Sequence, residues 1–203
     1  MSKLLIVIVS LACLSLSPAA RGAPATLLER AHKAEVDGDT VRALTLVELA
    51  LERGAATKDR RAFGQASGVY WTLVKREGDY ARAYRFFGQM AREHALPDVF
   101  ASEAAAAGGY LGWLAGAGVL ELPREAPVLE ALDRRARAGY ARALELDAEC
   151  FPALLGLAIH ELHTPGGQAR ARDAFARLNA LRARAPYYPW AEVDGWMSKL
   201  DRR

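Results

Sequence analysis

The stretch Gly78-Asp79-Tyr80-Ala81-Arg82-Ala83-Tyr84-Arg85-Phe86-Phe87-Gly88-Gln89-Met90-Ala91 decides the fold class. Tyr80, Ala83, Tyr84 and Phe87 recur at intervals of three and four, which is the stripe of an amphipathic helix with one face turned to a core. Gly78 supplies the backbone freedom that ends one helix and lets the next fold back. The same arrangement occurs at Gly38 and Gly166. Five residues after each glycine stands an alanine (Ala43, Ala83, Ala171), and four further on a large apolar residue (Val47, Phe87, Phe175). The small residue lets two helices approach closely, and the bulky one fills the gap a turn later.

Working outward from this unit, strand signals are sparse and helical periodicity is general. Gly38, Gly54, Gly78, Pro97, Pro123, Pro165-Gly166-Gly167, Pro186 and Pro189 punctuate the chain into about nine helices. The interval from Gly38 to Gly78 is 40 residues and that from Gly78 to Gly166 is 88, which leaves room for one degenerate unit, with helices over 98–118 and 127–146. Gly108, Gly109, Gly112, Gly116 and Gly118 lie in the first of these, where they permit close helix contact or a kink toward a ligand. Trp190 to Leu200 predicts a capping helix with Trp196 and Leu200 inward. The expectation is an all-α solenoid of antiparallel helix pairs, about four pairs plus a C-terminal cap.

The start of the chain has a different character. Lys3 precedes an apolar run from Leu4 to Leu16, too short to cross a bilayer and followed by small residues at Ser17-Pro18-Ala19 and Ala20-Arg21-Gly22. This predicts a signal peptide over residues 1–22, export to the periplasm or medium, and one domain over 23–203. An alternative takes Ser10-Leu11-Ala12-Cys13 as a lipoprotein box with Cys13 acylated, anchoring the chain to a membrane. No later segment predicts a transmembrane helix.

Of the two cysteines only Cys150 lies beyond the leader, so no intrachain disulfide framework is expected. The formal charge of +3 falls to +2 without Lys3 and to +1 without Arg21 as well. That balance gives no strong electrostatic steering, and the arginine excess accompanies abundant alanine, so no nucleic-acid partner is expected.

Two segments carry a family resemblance. Gly78 to Ala91, and YARALELDAECFPALLGLA over Tyr140 to Ala158, resemble the small-residue signature of the tetratricopeptide-repeat superfamily. The chain departs from that pattern in its longer period and in lacking the early tryptophan and Leu-Gly pair of most first helices. Residues Leu122 to Leu181 resemble more narrowly the periplasmic, TatT-like tetratricopeptide component associated with TRAP-type solute transporters. The matching features are the ALELD segment, Gly156, the Pro165-Gly166-Gly167 turn and Ala171 with Phe175. The resemblance implies a scaffold that holds a protein, peptide or solute, with a transporter subunit among the partners it suggests.

His160-Glu161-Leu162-His163 is the one cluster of metal-ligand residue types, and on a helix its two histidines share a face. It differs from the zinc-protease pattern, whose histidines stand four apart. Two histidines near a helix C-terminus also have a plain electrostatic reading. A metal-dependent hydrolase using His160, Glu161 and His163 is therefore the alternative to a binding protein, and no metal, cofactor or catalytic residue is assigned. Cys150 has no histidine nearby in sequence and reads as a small buried apolar residue. The binding candidates are aromatic: Tyr70 with Trp71 and Tyr110 with Trp113, on first helices of successive pairs, together with His160. First helices line the concave face of helical-repeat arrays. A tryptophan at helical spacing is equally a core hydrophobe, so burial decides between the two roles.

Overall fold

The computed structural model describes residues 26–116, 126–186 and 188–201. The expected leader and Cys13 lie outside them. The described residues form nine helices and no strand: α1 (Leu27–Val36), α2 (Thr40–Ala56), α3 (Arg60–Glu77), α4 (Tyr80–Glu93), α5 (Pro97–Gly116), α6 (Ala126–Leu146), α7 (Phe151–His163), α8 (Gln168–Leu181) and α9 (Trp190–Leu200). Consecutive helices pack in series as an all-α repeat array. Odd-numbered helices also meet, α3 with α5, α5 with α7, and α7 with α9, forming one layer of the array. None of the described helices is long and apolar enough to cross a membrane.

The turn glycines do what the sequence requires of them. Gly38, Gly78 and Gly166 have φ of +81°, +72° and +70°, in the left-handed region that side chains disfavour. Lys58 takes the same conformation at φ +56° between α2 and α3. After three of these four residues stands an aspartate N-cap. Asp39, Asp59 and Asp79 accept from the backbone N–H of Arg42, Ala62 and Arg82, each cap stabilising its helix by about 1 kcal/mol. A left-handed residue followed by Asp thus recurs at 38, 58 and 78. Gly54, expected to punctuate the chain, instead lies inside α2, where a Cβ would sit 3.0 Å from the backbone nitrogen of Phe63. It allows α2 and α3 to cross closely, and the turn falls four residues later.

The alanine and large-apolar pairs form the core of the second helices. Ala43, Val47, Ala83, Phe87, Ala171 and Phe175 are all buried, none more than 1 % exposed. The third unit carries its own version, Ala136 and Tyr140 on α6, also buried. Relative to the other units, it sits two turns further into a longer helix. Helix α5 touches α3, α4, α6 and α7. Its composition explains how one helix fits among four: Ala104, Ala106 and Ala107 are fully buried, and small side chains allow short interaxial distances. Gly139 of α6 faces Ala104 so closely that a Cβ would lie 2.9 Å from the alanine methyl. In the capping helix α9 the buried residues are Val193 and Leu200. Trp196 is half-buried, with the Lys199 ammonium over its ring at 3.7 Å.

Candidate functional site

The five binding candidates separate into three places. Tyr70 is wholly buried. Its hydroxyl donates to Glu48 Oε1 at 3.1 Å, and the same carboxylate accepts from Arg82 Nε and Nη2. Burial, then the neighbouring Glu48 charge, push the Tyr70 phenol well above its ordinary pKa. This corrects the surface role expected of Tyr70, since a side chain without accessible area cannot touch a partner. Trp71 is half-buried and stacks on Phe87 at 5.8 Å, inside the same aromatic cluster as Tyr70 and Phe86.

Tyr110 and Trp113 form a second group, built from the last turns of α5. Trp113 is 46 % exposed, and its ring stacks on Tyr110 at 6.0 Å. Tyr110 meets Tyr84 of α4 at 5.9 Å, and the Arg135 guanidinium of α6 lies over Tyr84 at 5.4 Å. Arg135 is itself held by the buried Glu103, donating from Nε at 2.9 Å and Nη2 at 2.5 Å. The result is a ladder, Arg135 to Tyr84 to Tyr110 to Trp113, which joins three helices and ends at a solvent-facing indole. Beside the ladder, Gly109 lets α5 approach Tyr80 of α4, since a Cβ there would stand 2.9 Å from the Tyr80 ring. Tyr84, Arg135 and Glu103 were not legible as site residues, because each lies on a different helix and no short motif joins them.

His160 belongs to a third, polar group. Its Nε2 is 2.8 Å from Asp133 Oδ1, and the other Asp133 oxygen accepts from Arg137 Nε at 3.0 Å. An ionised carboxylate only accepts, so the imidazole proton sits on Nε2. Burial raises the Asp133 pKa, but hydrogen bonds from Arg137 and His160 outweigh it and leave the carboxyl below its ordinary value. Arg137 also donates to Glu161, which is 1 % exposed and accepts from Arg170 Nε at 2.8 Å as well. Two guanidiniums on one buried carboxylate satisfy the charge that burial would otherwise make costly. His163 turns the other way, with Nδ1 2.8 Å from the Ile159 carbonyl and its ring against Trp196. His160, Glu161 and His163 thus face three different sets of partners. Among the described residues no three His, Cys, Asp or Glu side chains converge as a metal site.

Cys150 is buried at the start of α7. Burial pushes its thiol up to about 12, which suits a packing residue and not a nucleophile. In comparisons with known proteins, the chain matches no family model, no curated protein and no solved structure.

Proposed function

We propose that the chain is an exported helical-repeat binding protein that holds a protein or peptide partner and performs no chemistry of its own. One observation carries this reading: Trp113, a large hydrophobe, is half in solvent at the end of a ladder whose other members are fixed. Aromatic side chains combine large contact area with few rotatable bonds, and binding hot spots are enriched in them. A ring already ordered by Tyr110 loses little entropy on contact. The tetratricopeptide resemblance supports the same reading, and a solute-transporter subunit is the partner class it suggests.

Site-specific photo-crosslinking in the producing cell tests the proposal. A crosslinking residue at position 113 is expected to give a discrete adduct with one partner. One at Leu49, equally exposed on α2, is expected to give none. Identical adduct patterns from both positions, or no adduct from position 113, would count against it.

A further inference from the structure

Three partly buried rings of this chain are covered by a cation. Arg135 lies over Tyr84 at 5.4 Å, Arg182 over Trp190 at 4.8 Å, and Lys199 over Trp196 at 3.7 Å. Trp113 is more exposed than any of these. One side of its ring turns to Tyr110, and no cation among the described residues lies over it. An indole face is the best side-chain surface for a cation, because the ring quadrupole is negative above its plane.

The neighbourhood adds to that preference. The position of a Cβ on Gly78 is 3.7 Å from Trp113 Nε1, so the indole edge lies beside the C-terminal end of α3. Gly78 gives its own N–H to the Val74 carbonyl at 2.8 Å, and among the described residues no donor reaches the carbonyls of Lys75, Arg76 and Glu77. Free carbonyls at a helix end carry partial negative charge and favour a cation. The side chains at this turn point the same way. Glu35 and Glu77 both hold Arg76, and with Asp79 they make three carboxylates against Arg76 and Lys75, one net negative charge. Of the two cationic side chains, arginine suits the place better. Its guanidinium is flat enough to stack on a ring while its N–H groups, which lie in the same plane, reach acceptors at the ring's edge.

We propose that the partner engages Trp113 through an arginine, with the guanidinium stacked on the indole and its N–H groups directed to the carbonyls that end α3. This rests on the reading of Trp113 as a partner contact and names the chemistry that the contact recognises.

The indole N–H resonances of isotope-labelled protein report the four tryptophans separately in one spectrum, and Trp113→Phe identifies the peak of Trp113. The probes are N-acetyl-arginine methylamide and its citrulline counterpart, which keeps the shape and the N–H donors but lacks the charge. At equal millimolar concentration, the Trp113 peak is expected to move about two- to fivefold further with arginine than with citrulline, the factor a cation on an exposed ring supplies. The Trp190 and Trp196 peaks, whose rings are already covered, are expected to move less than that of Trp113. No movement at Trp113, equal movement with both probes, or equal movement of all three peaks would overturn the proposal. Crosslinking at position 113 separates the two levels. An adduct there without an arginine preference overturns this inference alone, whereas the absence of an adduct removes the reading on which it rests.

Discussion

Gly156→Ala probes the packing of the third unit, where α6 and α7 meet. An added methyl carbon would lie 2.5 Å from Cε1 and 2.6 Å from the hydroxyl oxygen of Tyr140. Carbon atoms in contact stand about 3.5–4.0 Å apart, so ring or backbone must move by about 1 Å. Tyr140 is 3 % exposed and has no open space to retreat into. Overpacking of this kind costs about 1–3 kcal/mol, against a gain of about 1 kcal/mol from replacing glycine within a helix. The net expectation is a loss of up to about 2 kcal/mol. Gly68→Ala is the control, since a Cβ there meets nothing within 4 Å and stabilises by about 0.5–1 kcal/mol. In urea unfolding followed by far-UV circular dichroism, the midpoint should fall for Gly156→Ala and rise for Gly68→Ala at unchanged slope. On a Tyr140→Leu background the sign at position 156 should reverse, because the atoms it strikes are gone. A rise for Gly156→Ala with Tyr140 intact would refute the packing of α6 against α7 described above.

Four further outcomes are expected. Ala83→Phe, at a position with no exposed area, should lower stability by about 1–3 kcal/mol in the same assay. Lys58→Gly should raise the unfolding midpoint, since the left-handed conformation at φ +56° disfavours a side chain by about 1–2 kcal/mol. The Cys150 thiol, pushed up to about 12 by burial, should resist a thiol reagent at neutral pH until denaturant is added; rapid native labelling would place it in solvent. For Asp133 the folded pKa lies below the unfolded one. The stability it contributes is therefore present above the ordinary aspartate range and lost as pH falls through that range toward the folded value. Asp133→Asn should flatten the acid limb of the stability profile, and an unchanged limb would contradict the pairing with His160 and Arg137.

The periodicity around Gly78 was enough to read the helix class, because the turn glycines and the alanine pairs answer local steric demands. Gly38, Gly78 and Gly166 all adopt the left-handed conformation, and the residues at the fifth and ninth positions after each are buried. The third unit was harder to see. Ala136 and Tyr140 lie two turns deeper in their helix, so no turn glycine stands five residues before the alanine. Lys58 gave no signal because it occupies a conformation normally marked by glycine. For the aromatic candidates, periodicity shows that Tyr70 and Trp113 lie on helices but not which flank meets a neighbour. Tyr70 is enclosed by Phe86 and Phe87, whereas Trp113 lies in the last turns of α5 and is 46 % exposed.

The most direct test of the binding role is Trp113→Ala, measured for stability and for partner capture on the same preparation. A fully buried tryptophan costs about 3–5 kcal/mol on truncation. With 46 % of Trp113 already in solvent, the expected loss is below that range, and the folded variant should no longer capture the partner identified by crosslinking at position 113. A loss of several kcal/mol, or capture retained at full strength by a folded variant, would contradict the account.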